Sequence, residues 1–543
     1  MKRKSFYIMS ILMFVSIFYL HYHLNYREAI KAPSEVWAKE VLISKGDIKQ
    51  YPALTGYNDN YIVVHQNGDD IKAIVVDKLG NILKESTFKA DGKEPRDLGV
   101  VTDNKNIYIT YMLTDMYYNT VKILKLNDNL ELIETKQIDN MRSKLDLSEN
   151  ILCIFYDDHI EFIDFLKSSS FKINLNNKAE MPTSIPYKDK YLITYISDRS
   201  AYKYFFIDKN GQTTEPKVAF DVQGGSNSSF ISNTITYKEN DIYAIVEYVY
   251  KGKEYTVKSF KFSLDKNDLY ISDFRLMENF GDNIDERKKF NVDVTSLANY
   301  PNQEGMILGS CGRKVFKMKE QPDIVEISIE DNENSIGGRF RDKYGAVIKN
   351  PVSNSRNNSI YPVSYKSAIV FCEPIGNDKS NVYITSKDKE FKEVNNKSRP
   401  SEAIDSLLAT SESMLFGMAY LVIYGSLWII PSLALISLIS IIEFKFNKTI
   451  RKALFIFAYS LAYLLKLYFI NKLFYINQAM LMPSFFSLNV GVACTLLISL
   501  VCLSYGYKDY SKDLDYNVIV LSFSKPILID SLLTLILFVG FII

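Results

Sequence analysis

The feature that most constrains this chain is a short stretch that recurs. It is most legible over residues 61–86, YIVVHQNGDDIKAIVVDKLGNILKES, which reads as three short strands joined by two tight turns. Asn67-Gly68 divides the first strand from the second, and Asp77-Lys78-Leu79-Gly80-Asn81 divides the second from the third. Asn and Gly accept the positive φ that tight hairpin turns demand, so this punctuation has a physical cause. One meander of this size has an apolar face and nothing to bury it against. It needs copies of itself.

The copies follow. Apolar, β-rich runs at 61–66, 107–112, 151–156, 191–196, 242–247, 305–310 and 368–373 begin about 40 to 63 residues apart. That spacing suits one four-stranded propeller blade per repeat, with insertions in the later copies. The sequence therefore predicts a mainly β domain, a β-propeller of about seven blades over residues 32–401, with tandem β-sandwiches as the alternative. Closure of the ring would add strand 41–44 to the blade built by 368–373 and 381–386, so the ends of the domain should meet. Trp37 and Trp428 are the only tryptophans, too few for Trp-based repeat signatures.

Residues 88–111, FKADGKEPRDLGVVTDNKNIYITY, carry a local resemblance. Gly92, Pro95 and Asp97, then Asp103 and Ile107-Tyr108, are similar in kind to the linker into a new blade of NHL-type propellers. Glu94 and Arg96 stand where that pattern prefers Gly, and Leu98 where it prefers Phe. The resemblance covers one linker. It implies a propeller serving as a binding scaffold and assigns no ligand residues.

Charge and reactive residues exclude more than they assign. Lys+Arg 64 against Asp+Glu 63 leaves a net charge of +1, so no basic field points to nucleic acid. Cys153, Cys311 and Cys372 in the strand-rich part make an odd number, which is no disulfide framework; a Cys311–Cys372 bridge is weighed against small buried core residues. His21 and His23 flank the first apolar run, while His65 and His159 read as strand-edge residues. No H-E-x-x-H, His-Cys cluster, G-x-S-x-G or phosphate loop occurs. The turns at 77–80, 127–129, 208–211 and 265–268 read as hairpin chemistry, because calcium would need a bidentate Glu at a fixed offset. Asp157-Asp158 with Glu161, and Asp282 with Asp285 and Glu286, read as solvated turns. No catalytic residue, metal ligand or cofactor is assigned, and the chain is not expected to be an enzyme.

Both ends of the chain are apolar. Lys2, Arg3 and Lys4 precede the run 6–20, the pattern of an uncleaved anchor with its N-terminus in the cytoplasm, with a cleaved signal peptide as the alternative. Further spans are expected at 414–442, with Pro431 as a kink, and at 453–470, 485–504 and 526–543. Lys445, Lys448, Arg451 and Lys452 mark a cytoplasmic loop, which agrees with an extracytoplasmic C-terminus. Ser401 and Glu402 read as the start of a helix. The expected layout is 1–31 cytoplasmic tip and anchor, 32–401 extracytoplasmic propeller, 402–413 hinge and 414–543 four transmembrane helices, in a multi-pass protein of the cell membrane.

Charged residues inside spans are the usual functional pointers, which singles out Lys466 and Asp530. Counted from 453 and 526 they lie at about 20 Å and 6 Å depth, at roughly 1.5 Å per residue, too far apart to pair. The reading is an integral membrane protein presenting a binding, sensing or scaffold domain, with the lipid bilayer and an envelope protein, peptide or glycan as partners. A transporter or export-complex subunit using the C-terminal helices is one alternative. An envelope hydrolase or lyase on the propeller is another.

Overall fold

The structure is a computed structural model that describes residues 3–542 except 91–93, 104, 115–118, 147–150, 168, 176–177, 209–210, 223–227, 251–253, 266–267, 275, 279–293, 302, 315–319, 332–343, 355–356, 478–481, 484 and 513–518. It divides into two compact units. One comprises residues 32–313 and 321–397; the other comprises 1–31, 314–320 and 398–543.

The first unit is a seven-bladed β-propeller. Six blades are four-stranded antiparallel sheets; the sixth in chain order has a fifth strand, Leu276–Glu278, added in parallel to Tyr344–Pro351. The first strand of each blade, Ala53–Tyr57, Arg96–Thr102, Ser143–Asp146, Ala179–Tyr187, Ser228–Lys238, Val294–Asn299 and Ile360–Tyr365, contacts the first strand of the next, and the last returns to the first. These seven line the axis. The recurring apolar runs of the sequence are the strand after each of them, such as Asn60–Asn67 and Ile107–Thr114.

Those second strands carry apolar side chains on both faces, as Tyr61 to Val64 do, because each blade is covered on both faces. The buried side chains fall into seven clusters, one at every blade–blade interface. Ile62 and Val64 pack toward the second blade, while Tyr61 and Val63 pack toward the seventh. Cys311 belongs to the interface of the fifth and sixth blades and Cys372 to that of the seventh and first, so the two are buried at different interfaces and form no bridge.

The ring closes as expected. Val41–Asp47 pairs antiparallel with Lys379–Ser386, supplying the outer strand of the seventh blade. The segments on either side are tied together: Ala38 N–H donates to Ser386 O (3.2 Å), Thr385 Oγ1 to Ala38 O (2.8 Å), Lys39 N–H to Asn396 Oδ1 (2.9 Å) and Lys39 Nζ to Lys397 O (3.3 Å). His65, expected at a strand edge, is fully buried in this closure. Its Nδ1 lies 2.7 Å from Gln66 O and its Nε2 2.9 Å from Ser44 Oγ, so the neutral ring donates to the carbonyl and accepts from the hydroxyl.

Five blades carry a register shift in the axial strand, at Arg96/Gly99, Glu180/Thr183, Phe230/Ser232, Thr295/Ala298 and Ile360/Val363. In four of them a non-glycine residue takes positive φ: Asp97 (53°), Met181 (49°), Ser296 (54°) and Tyr361 (58°). Bulges of this kind re-aim side chains and free backbone groups. Gln50, Tyr51 and Asn233 meet them, at Asp97 N–H (2.6 Å), Leu297 O (3.0 Å) and Met181 O (3.0 Å).

The second unit is helical. Its members are α1 (Arg3–Ala29), α3 (Pro400–Tyr420), α4 (Ser426–Ile442), α5 (Lys448–Ile470), α6 (Leu488–Lys512) and α7 (Ile519–Val539); the short α2 (Lys389–Asn395) belongs to the propeller. α3 runs through a π-helical turn, Leu421–Gly425, into α4. Among the described residues five segments are long and apolar enough to cross a membrane: Lys4–Ala29, Pro400–Ile442, Lys448–Ile476, Leu488–Lys512 and Ile519–Val539. Residues 402–413, expected as a hinge, are helical. The 43-residue helix Pro400–Ile442 would be about 65 Å long, twice a hydrocarbon core. Ser401 lies inside α3 and does not cap it; the cap is made by Glu402 Oε2, which accepts from Arg399 N–H at 2.8 Å.

The His65 environment makes closure of the ring acid-sensitive. Burial foremost, and the nearby Lys72 ammonium, hold the imidazole at about 4 against an ordinary value near 6.5. The fold thus favours the neutral ring: its stabilisation is complete above pH 6.5 and is lost as pH falls toward 4, by about 3 kcal/mol in all. We predict that thermal unfolding of the propeller shifts down across this window, and that His65→Gln lowers the starting stability but flattens the pH dependence.

Candidate functional site

Lys466 and Asp530, the two residues singled out from the sequence, meet. Lys466 Nζ lies 2.7 Å from Asp530 Oδ1, and both side chains are buried. The depth argument failed because it took 453 and 526 as one level: α5 begins at Lys448 and α7 at Ile519, and the two helix starts need not lie at the same depth. Lys466 also donates to Ser499 Oγ (2.6 Å) and Thr534 Oγ1 (3.3 Å), so all three ammonium hydrogens are taken. Asp530 also lies 2.9 and 3.0 Å from Ser499 Oγ, and Tyr459 OH donates to it at 3.4 Å. The Tyr463 ring centroid stands 5.4 Å from the ammonium. One lysine on α5, one serine on α6 and two residues of α7 thus form a closed, net-neutral knot.

A second buried ion pair joins the same helices at their other end. Arg451, expected in an exposed loop, lies within α5, with Nη2 3.5 Å from Glu443 Oε2 and Nε donating to Tyr510 OH at 3.3 Å. Tyr510 OH also bonds Glu443, whose other oxygen accepts Ile519 N–H at 3.2 Å and so caps α7. α7 touches every other helix of the unit. Trp428 Nε1 donates to Ser531 Oγ (2.9 Å), and at Gly417 an added Cβ would stand 3.1 Å from the Ile536 Cα. α1 joins them: Phe6 stacks on Tyr505 with centroids 3.9 Å apart, His21 Nε2 lies 3.0 Å from Leu537 O and Asn25 Nδ2 donates to Thr410 Oγ1 at 2.8 Å.

In the propeller, sequence reasoning missed a caged lysine. Lys387 Nζ sits 2.6 Å from Glu326 Oε1, with the ring centroids of Trp37 and Tyr300 at 4.8 and 5.2 Å. Tyr300 OH (3.0 Å) and Asn350 Nδ2 (2.7 Å) complete the shell of this buried carboxylate. Burial first, and then Glu326, push the Tyr300 hydroxyl well up. The cage fastens the segment before the closing strand to the sixth blade. Nearer the axis, burial raises the Glu247 carboxyl; its Oε1 has no hydrogen-bond partner among the described residues.

The other sequence candidates resolve as local chemistry. Asp77 accepts from Leu79 N–H and Asn81 N–H at 2.8 Å each, and Asn127 accepts from Asn129 N–H and Glu131 N–H at 2.9 Å each, so these turns spend their oxygens on themselves. Asp157 is paired with Arg142 and Asp158 with His159. Asp282, Asp285 and Glu286 lie outside the described residues. Among the described residues no group of His, Cys, Asp and Glu is placed to hold a metal ion.

No family model matches the chain, and no curated protein matches it. Solved propellers do, at low likeness. An alpha-L-arabinanase of Penicillium chrysogenum shares 9% identity over 65% of this chain and 99% of its own, with a TM-score of 0.35. The polysaccharide lyase Uly1 shares 10% over 64% and 91%, with a TM-score of 0.39. The propeller domain of the Trilobed protease from Pyrococcus furiosus shares 9% over 62% and 96%, with a TM-score of 0.34. Likeness at this level carries nothing about activity.

The knot and the cage differ in what their loss should do. Removing one partner of the Lys466–Asp530 pair strands a buried charge, so we expect Lys466→Met or Asp530→Leu alone to cost about 3–5 kcal/mol and the double variant to recover most of it. Thermal denaturation of the full chain in detergent would show this. Lys387→Ala should speed hydrogen exchange at 36–47 and leave exchange in the helices unchanged.

Proposed function

We propose that this chain is a membrane-anchored recognition protein, in which an extracytoplasmic propeller at 32–401 binds an envelope partner and the helices hold it in place. The observation that carries the reading is the tie between Lys39 and residues 396–397. The two segments leaving the ring leave it side by side, and each continues along the chain into an apolar helix, α1 or α3. A ring held at both ends is restrained in tumbling, which suits binding at a membrane surface.

The packing of α1 against α3, α6 and α7 supports an anchor that stays in place, with its N-terminus cytoplasmic. On that topology 402–413 is a rigid extension of the first C-terminal span, and the C-terminus is extracytoplasmic. The closed Lys466–Asp530 knot favours a static sector over a transporting one, because no donor of Lys466 is left for a passing substrate. Asp530 and Lys466 are, on this reading, residues of assembly.

Chemical crosslinking in intact membranes, followed by capture of the full chain, tests the proposal. Partners should be retained when α4 to α7 are replaced by an unrelated four-helix anchor, and lost when the propeller is replaced. Dependence on the native helices with a folded propeller would instead favour the transport reading.

A further inference from the structure

The cleft where the seventh blade meets the first has a composition that the ring closure does not require. It has a volume of about 330 Å³ and is bounded by the turn at 57–60, Lys78, the turn at 365–367 and Asp388. At its floor Asp388 Oδ2 accepts from Ser367 Oγ at 2.8 Å and from Tyr61 OH at 3.5 Å. One wall is the ring of Tyr365. Gly56 makes room for it, since an added Cβ there would stand 2.6 Å from the ring, and Tyr61 meets the same ring edge-on, with centroids 6.5 Å apart. Lys366 Nζ stands 4.8 Å from that ring centroid, and Lys78 pairs with Asp59 at 3.2 Å on the rim.

The chemistry narrows what would fit. Two carboxylates, Asp59 and Asp388, face two ammonium groups, Lys78 and Lys366, so the cleft has no net charge with which to select an ion. Asn58 and Asn60 add amides that both donate and accept. An aromatic wall beside alternating donors and acceptors, in a space at the lower end of small-ligand sites, matches a molecule with an apolar C–H face and a rim of hydroxyls. An apolar ligand would meet mostly polar side chains here, since Asn58, Asp59, Asn60, Lys78, Lys366, Ser367 and Asp388 all line the cleft. The turns that build the cleft take positive φ at Asn58 (47°), Asp59 (63°) and Lys366 (51°), which holds the flanking side chains on rigid hairpins.

We propose that this cleft binds a neutral saccharide, with a sugar face against Tyr365 and hydroxyls on Asp388, Lys366 and the Asn58 and Asn60 amides. The proposal rests on the recognition reading and names the chemical class of one ligand.

Saturation-transfer NMR on the full chain in detergent, with maltose, cellobiose and N,N′-diacetylchitobiose as neutral probes and digalacturonate as a charged one, tests it. Transfer to at least one neutral disaccharide is expected, weakened about fivefold by Asp388→Ala, the effect of one lost hydrogen bond, and abolished by Tyr365→Leu. Unchanged thermal unfolding checks each variant's fold; if Tyr365→Leu does not fold, Asp388→Ala decides alone. Silence from all neutral probes at millimolar concentration overturns the proposal. So does preference for digalacturonate, or transfer that ignores a folded Asp388→Ala chain. Crosslinked partners retained by a propeller that binds no sugar would sink the cleft and leave the recognition reading standing.

Discussion

Burial of each blade's second strand on both faces is the constraint on which the propeller depends. Ile62 and Val64 need the second blade and Tyr61 and Val63 need the seventh, so no blade is complete alone. An open row of blades would leave its two end faces wet. Ring closure removes both, and the strand Val41–Asp47 achieves it by joining the far end of the chain's strand-rich part. From this follow the meeting of the two ends, the His65–Ser44 contact and the Lys387 cage, all within or beside the closing interface.

In the helical unit polar atoms fix the register of helices that also share two buried apolar clusters, one around Trp428 and Phe538 and one around Phe455 and Phe523. Lipid is as apolar as leucine, so helices in it select one another through close packing and hydrogen bonds. Here α7 supplies both. It brings Asp530 to Lys466 and Ser499, Ser531 to Trp428, a backbone N–H to Glu443 and the close approach at Gly417. The last helix in the chain is thus the centre of its unit. The ion pairs at its two levels specify register more than they add stability, because buried pairs seldom outweigh their desolvation.

The two units place their charged residues by opposite rules. The propeller's exposed turns use Asp and Asn to satisfy their own backbone, as Asp77 and Asn127 do. Its buried carboxylate Glu326 is held by three partners drawn from separate segments, Lys387, Tyr300 and Asn350. A cleft between these regimes, lined by hairpin residues that face solvent yet are held by rigid turns, is where selective binding has the least to reorganise.

Much of the architecture was legible in the sequence because it is periodic. The seven apolar runs, their spacing and the turn residues between them gave the blade number, and strand 41–44 gave the closure. The apolar runs at both ends correspond to the five candidate spans among the described residues. Local periodicity carries no information about which distant side chains share a level, and counting along each span therefore separates Lys466 from Asp530 although the two meet. The same holds for the burial of His65 and Arg451, the continuity of helix through 402–413, the Lys387 cage and the cleft beside Tyr365. By itself the sequence determined how often the chain reverses and which faces avoid water. Only the tertiary structure decided which polar groups meet, because each of those meetings joins segments that no repeat length relates.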